Sequence, residues 1–267
     1  MTDQDAGTGE DPRVTVSRED GVARLTLSNP RRKNAITLEM GAAIEAFCDQ
    51  VAADETIGAV LVTGAGGYFS SGADTRLLAA SSSDPASPEA VASVSALYRS
   101  FTRISSLPVP TVSLVEGGAI GAGMNLALST DLLLVAPQAV LDSGFLTRGI
   151  HPGGGHMALL GRRVGYQQAT AMALLGRPLS GTEAVECGLA YAAHPAGELL
   201  LAATKLVALA AADPQLTRKI KHSLMLELGD GPVSLPAAVE IERGAQMWSL
   251  ARKGSAGWDH RPRRPSP

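Results

Sequence analysis

Two apolar segments that each run into a glycine-rich turn constrain the fold of this chain more than any other feature. Residues 58–63 (GAVLVT) read as a buried strand, and residues 69–74 (FSSGAD) follow it. Residues 111–115 (TVSLV) read as a second buried strand, and residues 116–123 (EGGAIGAG) follow it. Ligands of open α/β sheets bind at the carboxyl ends of the strands, and glycine lets a ligand approach the main chain closely. The two turns are therefore predicted to build one binding site.

The remaining segments predict an α/β fold over the first two thirds of the chain and helices after it. Strand patterns at 14–16 and 22–27 flank a Glu-Asp-Gly turn, which is typical of a hairpin. Helices are predicted after two capping residues, Thr37 and Ser87. The remaining patterns predict a loop at 79–88, a glycine loop at 117–123, short strands at 132–135 and 140–141, helices around 153–163 and 166–175, and a capping box at 180–183.

The chain divides into four predicted regions. Residues 1–12 are polar and acidic, and they read as a disordered lead. Residues 13–196 form the α/β core, and residues 197–252 form a helical C-terminal region with a break near 229–232. Residues 253–267 carry prolines and basic side chains, and they read as a flexible tail.

The net charge and the lengths of the apolar segments limit the binding partners and the cellular compartment that can be expected. The net charge of -3 argues against a nucleic-acid partner, which would need a basic face. Every long apolar segment is interrupted well before the ~18 residues of a membrane span, and no signal peptide is evident. The cysteines, Cys48 and Cys187, both lie in apolar helical patterns and are expected to be buried thiols. We expect a cytoplasmic protein with no membrane partner.

A glycine-rich loop alone has several interpretations. It can serve tight packing, or it can bind a dinucleotide. The spacing of Gly117, Gly118, Gly121 and Gly123 is not G-x-G-x-x-G, and the preceding strand is not the first of a βαβ unit. The dinucleotide interpretation is therefore the weaker one.

Six segments together resemble the enoyl-coenzyme A (CoA) hydratase/isomerase family, the crotonase superfamily. They follow one another in family order across residues 14–212: 27–36 (LSNPRRKNAI), 60–66 (VLVTGAG), 69–74, 110–131, 151–155 (HPGGG) and 179–189 (LSGTEAVECGL). The resemblance implies a spiral of ββα turns with a helical C-terminal trimerisation region. It also implies an acyl-CoA ligand, with CoA as part of the substrate and no separate cofactor or metal, and a homotrimer or a dimer of trimers.

The resemblance also implies site residues. The backbone amides of Ala73 and Ala122 would form an oxyanion hole for the thioester carbonyl, a device that polarises a carbonyl and stabilises an enolate. The basic residues Arg31, Arg32 and Lys33 could meet phosphates by charge complementarity. The full set of expected substrate-binding residues is Arg32, Asn34, Ala35, Ser71, Asp74, Thr75, Leu77, Gly118, Gly121 and Arg148.

The family pattern breaks where its two glutamates would stand. Asn125 and Phe145 occupy those positions, and neither an amide nor a phenyl ring exchanges protons usefully. His151 and His156 are alternative acid/base groups, since histidine titrates near neutral pH, but each can equally be a hydrogen-bonded structural residue.

Two hypotheses follow. The first is an enzyme of this family with non-standard lyase, isomerase or decarboxylase chemistry, which suits enolate stabilisation without the glutamates. The second is a non-catalytic acyl-CoA binding protein that keeps the pocket. A purely structural protein would not explain two intact glycine-rich turns.

Overall fold

The structure is a computed structural model that describes residues 13–82 and 84–229. The predicted hairpin is its first element. Strand β1 (Val14–Glu19) pairs antiparallel with β2 (Val22–Leu27). Asp20 and Gly21 connect them with φ of 47° and 76°. Two left-handed residues in succession match the twist of the flanking strands, which explains the Asp-Gly sequence at this turn.

The larger sheet continues from the hairpin through β3 (Ala59–Gly64), β4 (Thr111–Val115), β6 (Leu132–Val135) and β9 (Ala192–Ala193). Its six described strands follow the order β1-β2-β3-β4-β6-β9, and every pair after the hairpin is parallel. All five residues of β4 are buried. Parallel strands are covered on both faces, which explains why β3 and β4 read as continuous apolar runs.

A second sheet joins β5 (Gly118–Ile120), β7 (Val140–Asp142) and β8 (Leu179–Ser180). β4 runs into β5 and β6 runs into β7, so successive turns of chain give one strand to each sheet. This is the expected α/β fold with stacked ββα turns. The prediction of a plain loop at 117–123 was wrong, because three of those residues hydrogen-bond as β5 along β7.

Eight α-helices complete the described part of the chain. Their bounds are α1 (Leu38–Ala53), α2 (Thr75–Ser82), α3 (Pro88–Ser105), α4 (Ala122–Leu128), α5 (His156–Ala169), α6 (Gly181–Glu186), α7 (Leu199–Ala212) and α8 (Pro214–Leu228). Three predicted caps are confirmed: the Thr37 and Ser87 side chains accept from backbone N–H groups of the first turn, and Ser180 forms the capping box with Glu183. Among the described residues, no single helix is long and apolar enough to cross a membrane; the stretch Ala196–Ala212 passes only together with α8, across a 100° bend.

Two predicted boundaries were wrong. Helix α2 runs to Ser82, into the predicted 79–88 loop, because small residues at 79–82 are compatible with a helix and Asp74 caps its start by accepting from the N–H of Arg76. The helix predicted from residue 153 begins at His156, since Gly154 and Gly155 have positive φ. α5 is interrupted at Gly165, which has a φ of 71°, and a π turn (Thr170–Leu174) follows it.

The helical C-terminal region is tied to the core by two basic side chains, of which Lys221 is buried and Arg218 is half-buried. Lys221 of α8 pairs with Asp131, which also accepts from the N–H and hydroxyl of Thr111. Arg218 donates to the carbonyls of Val51 and Asp54 at the end of α1. The predicted region boundaries stay a prediction, and the lead, the tail and the break beyond residue 229 lie outside the described residues.

The two thiols differ. Cys48 is fully buried in α1, and burial raises its pKa to about 12, so it is held as an inert neutral thiol. Cys187, at the end of α6, is only half-buried, which corrects the expectation of a buried thiol. Both are free.

Candidate functional site

The two glycine-rich turns meet at a cavity of about 500 Å³. Its walls come from the 71–75 turn, the start of α4, the segment 144–153 and one face of α3. The large apolar and aromatic side chains of the lining are Leu78, Val94, Leu97, Tyr98, Ile120, Phe145 and Ile150. A mostly apolar cavity with a few converging polar groups is the usual form of a small-molecule site.

Residues 70–74 thread between two neighbouring segments and fix the cavity wall. Ser70 donates its N–H to Gly118 and accepts from the N–H of Ile120. Two residues later, Gly72 accepts from the N–H of Ile36, and Asp74 donates to the Ile36 carbonyl. The segment therefore pairs with β5 on one side and with residue 36 on the other, with Ala73 between its two ladder bonds.

The backbone N–H groups of Ala73 and Ala122 both lie at the cavity, and neither has an acceptor among the described residues. Ala73 lies between the ladder bonds, and Ala122 is the first residue of α4, where N–H groups have no partner in the helix. Both residues were predicted as a pair of amide donors, and the fold brings them to the same cavity.

Glycine at position 72 is what lets these two segments approach. Gly72 has a φ of +102°, and a Cβ there would lie 2.8 Å from the carbonyl oxygen of Ile120 and 3.4 Å from the nitrogen of Ala122. A side chain would push the 70–74 segment away from the start of α4. Gly123 is constrained similarly, since its Cβ would lie 2.5 Å from the Ser70 carbonyl oxygen.

Asn125 lines the cavity from α4 and belongs to a buried hydrogen-bonded chain. Its Nδ2 donates to the carbonyl of Gly153 at 2.9 Å, and its Oδ1 lies 2.7 Å from Nδ1 of His156. Nε2 of His156 lies 2.7 Å from Oγ of Ser143. Asn125, Ser143 and His156 are each only 1% exposed. His156 is thus a hydrogen-bonded structural histidine behind the cavity wall, one of its two predicted interpretations.

Phe145 separates His156 from the cavity. The two rings meet edge to face with centroids 4.9 Å apart, and Phe145 lines the cavity while His156 does not. Burial lowers the pKa of His156 to about 4, so the imidazole is neutral at physiological pH.

The cavity rim is basic. Arg31, Arg32, Arg148 and His151 line it, and no Asp or Glu does so within the part of the chain that the structure describes. Nδ1 of His151 lies 2.6 Å from the carbonyl oxygen of Pro152, an acceptor, so Nδ1 carries the proton and donates. Nε2 is therefore the ring nitrogen of His151 that the Pro152 carbonyl does not engage.

Asp74 organises the basic loop from below. Arg32 approaches its Oδ2 at 3.3 Å, and Arg76 donates to Oδ1 from its backbone N–H at 2.8 Å. Burial raises the pKa of Asp74, but the hydrogen bonds from Arg76 and the charge of Arg32 outweigh burial, so the pKa lies below its ordinary value. Lys33 lies 5.2 Å from the centre of the Tyr68 ring, a cation–π distance. Of the three basic residues, Arg31 is the exposed one at the cavity.

Most of the predicted site residues line the cavity: Arg32, Ala35, Ser71, Ala73, Thr75, Gly121, Ala122, Asn125, Phe145, Arg148 and His151. Four do not. Asn34 is fully buried and donates to the carbonyls of Ala65 and Tyr68, so it supports the turn rather than a ligand. Asp74 is buried beneath the loop, Leu77 lines a separate groove, and Gly118 packs against the Tyr68 ring.

The face of α3 was not predicted to reach the site. Val94, Leu97 and Tyr98 line the cavity, and a Cβ at Gly153 would lie 2.1 Å from the Tyr98 hydroxyl oxygen. Their helical spacing signals only a buried face, so nothing local in the sequence marks them as site residues. Ser143 was also missed, since a single serine directly after a short strand carries no distinctive signal. No group of three or more His, Cys, Asp or Glu in the described ranges could hold a metal ion.

Comparison with known proteins adds three similarities and one family match. The profile of the family described as Enoyl-CoA hydratase/isomerase matches residues 17–249. A probable enoyl-CoA hydratase of Mycobacterium tuberculosis, EchA14, is 38% identical over 242 residues, covering 91% of this chain and 84% of that protein.

Two solved structures share the fold. An enoyl-CoA hydratase from Polaromonas superposes with a TM-score of 0.82 at 28% identity, covering 92% of this chain and 96% of that chain. An enoyl-CoA hydratase candidate from Thermobifida fusca, solved in complex with acetoacetyl-CoA, superposes with a TM-score of 0.78 at 27% identity, covering 90% and 95% of the two chains.

Proposed function

The chain belongs to the enoyl-CoA hydratase/isomerase family, and we propose that it binds an acyl-CoA thioester through the amides of Ala73 and Ala122. The observation that carries this proposal is that the backbone N–H groups of Ala73 and Ala122, neither with an acceptor among the described residues, lie at one mostly apolar cavity. A carbonyl oxygen supplies the acceptor that both donors lack. Such a pair of donors polarises the thioester and stabilises an enolate, and one donor is typically worth about 10²–10³ in rate.

The rim chemistry supports the CoA half of this ligand. CoA carries phosphates, and three arginines without any carboxylate at the cavity favour an anionic group. Arg31 and Arg148 are exposed and free to meet phosphates, whereas Arg32 is engaged by Asp74. The bound acetoacetyl-CoA of the Thermobifida fusca protein belongs to the same ligand class.

The reaction we propose is not the two-carboxylate hydration. A carboxylate pair would accept and return the protons of a water molecule, but Asn125 and Phe145 stand at those positions. Isomerase, lyase or decarboxylase chemistry instead needs chiefly a stabilised enolate, which the two amides supply. His151 is the candidate proton carrier at the cavity, because it lines the cavity and its Nε2 is the ring nitrogen that the Pro152 carbonyl does not engage.

Assembly and location extend the proposal. Large apolar side chains are exposed on α7 and α8, among them Leu201, Leu209, Ile220 and Leu228. Exposed apolar surface on this scale favours burial between subunits, so we propose a homotrimer or a dimer of trimers in the cytoplasm. Sedimentation velocity would test this: a monomer at micromolar concentration contradicts it.

A second candidate is a non-catalytic acyl-CoA binding protein. The observation that favours it is the lack of a carboxylate among the described cavity residues. The one imidazole among those residues belongs to His151. The two candidates share the ligand and differ only in turnover.

One panel of thioesters separates them. Crotonyl-, longer enoyl- and malonyl-type CoA thioesters are titrated by calorimetry, and the same compounds are incubated with the protein and analysed for products. Binding with turnover supports the enzyme, and binding without turnover of any member supports the carrier. No binding of any CoA thioester contradicts both.

A further inference from the structure

The buried chain Ser143–His156–Asn125 fixes what the cavity wall offers to a ligand. Its hydrogen-bond directions are determined from one end. The Gly153 carbonyl can only accept, so the Asn125 group facing it at 2.9 Å is the NH₂. Oδ1 of Asn125 therefore faces Nδ1 of His156 at 2.7 Å, and Nδ1 must carry the proton.

The other end of the chain follows from this assignment. The imidazole is neutral, because burial lowers its pKa to about 4. With the proton on Nδ1, Nε2 is an acceptor, and the Ser143 hydroxyl donates to it at 2.7 Å. Every member of the chain has one direction of donation, and a flipped Asn125 amide would bring its Oδ1 against the Gly153 carbonyl, two acceptors together.

The order of groups is that of a nucleophilic triad, with a hydroxyl on Nε2 and an orienting oxygen on Nδ1. The position of Ser143 and His156 outside the cavity lining excludes that role here. Ser143 and His156 are each 1% exposed, neither lines the cavity, and the Phe145 ring lies between His156 and the cavity. No thioester carbonyl reaches Ser143 in this arrangement, so the chain orients Asn125 rather than attacking a substrate.

The orientation leaves a hydrogen-bond donor at the cavity. Oδ1 of Asn125 points to His156, which lies behind the wall, whereas Nδ2 points to Gly153, which lines the cavity. An amide nitrogen has two hydrogens, and Gly153 takes one of them. The second hydrogen has no acceptor among the described residues, and Asn125 shares the cavity lining with the apolar Phe145, Ile120 and Leu97.

We propose that Asn125, held by His156, selects acyl-CoA thioesters whose acyl chain carries an oxygen acceptor, such as a 3-oxo or 3-hydroxy group. The inference rests on the proposed acyl-CoA function and specifies its substrate class. A buried donor that meets a hydrocarbon chain loses its hydrogen bond to water, whereas an oxygen on the chain restores it. One neutral hydrogen bond of this kind is worth about 3- to 10-fold in affinity.

The test compares 3-oxobutyryl-CoA and 3-hydroxybutyryl-CoA with butyryl-CoA by calorimetry on the full-length chain. The hydroxy ligand is included because it does not enolise, so its affinity reports the hydrogen bond alone. The key variant is Asn125→Asp, which has the same shape but presents only acceptors. The control is Ser143→Ala, which keeps the bond between His156 and Asn125 and touches no ligand.

The expected result is a preference of about 3- to 10-fold for both oxygenated ligands over butyryl-CoA in the unchanged protein. Asn125→Asp is expected to abolish this preference, and Ser143→Ala is expected to keep it. Equal affinity for the three thioesters, or a preference that survives Asn125→Asp, overturns the inference and leaves the proposed function standing. If none of the three thioesters binds to the folded chain, the proposed function itself fails.

A second measurement does not depend on any variant folding. Nitrogen-15 spectra of the histidine rings report which nitrogen carries the proton. A neutral His156 with its proton on Nδ1 supports the orientation of Asn125. A proton on Nε2 of neutral His156 overturns it.

Discussion

Acidification is expected to destabilise this chain through one side chain, His156. Its pKa is about 4 in the folded state because of burial, compared with the 6.5 of an exposed histidine. Above pH 6.5 both states are neutral at this position, so the stabilisation is fully present. As the pH falls below 6.5, the unfolded chain takes up a proton that the folded chain refuses, and the stabilisation is lost progressively until about pH 4.

The magnitude follows from the difference between these two pKa values. One pKa unit corresponds to about 1.4 kcal/mol, so the full loss is about 3 kcal/mol, of which about 2 kcal/mol is lost between pH 7 and pH 4.5. Buried carboxylates complicate the range below pH 4.5. Asp74 has a lowered pKa, so its own contribution is lost only as the pH falls below the ordinary aspartate range.

The assay is urea denaturation at a series of pH values from 7 to 4.5, for the unchanged protein and for His156→Gln. The variant is less stable at pH 7, because Ser143 and Asn125 lose their partner, but its free energy of unfolding is expected to fall about 2 kcal/mol less across the range. His151→Gln is the matched control, since His151 is exposed. Identical pH slopes for the unchanged protein and His156→Gln would refute the reasoning.

Three further predictions concern the cavity. The double variant Asn125→Glu with Phe145→Glu is expected to hydrate crotonyl-CoA, because the main-chain amide donors remain in place. Loss of enoyl absorbance measures the reaction, and an absence of hydration contradicts the prediction. Gly72→Ala is expected to lower both the thioester affinity and the melting temperature. Gly67→Ala is the matched control, because Gly67 has a φ of +72° but an added Cβ there has nothing within 4 Å; this variant is expected to lower only the melting temperature. Similar binding losses in both glycine variants would be the contrary result. Arg31→Gln is expected to weaken CoA binding and to reduce its salt dependence, which titrations at two ionic strengths would reveal; an unchanged salt dependence would exclude a phosphate contact.

Much of the fold could be predicted because its signals are local. Thr37, Ser87 and the Ser180–Glu183 box cap helices through contacts within one turn, so their sequence pattern suffices. The predictions were wrong where contacts between distant segments determine the secondary structure. β5 exists because Gly118 and Ile120 pair with Ser70 and β7, which are distant in sequence, and the local glycine pattern favours a loop instead.

The candidate site divides in the same way. The main-chain donors could be located because glycine-rich turns mark where backbone is bared at the end of a strand. The face of α3, and the pairing of Ser143 with His156 across 13 positions, depend on how distant segments pack. The two glycine-rich turns of the site could be identified from the sequence, but the part of the cavity wall that α3 contributes could be identified only from the structure.

The thread of residues 70–74 has a consequence for how new reactions can arise on this scaffold. Ala73 and Ala122 contribute main-chain amides, so an exchange of their side chains by point mutation leaves the nitrogen atoms in place unless the backbone is displaced. The groups that decide proton transfer are instead side chains, and they change with single codons. A library randomised at Asn125, Phe145 and His151 would therefore sample different reactions while the proposed main-chain donors to the carbonyl stay constant. A cavity wall that presents Asn125 and Phe145 is a suitable starting point for such selection.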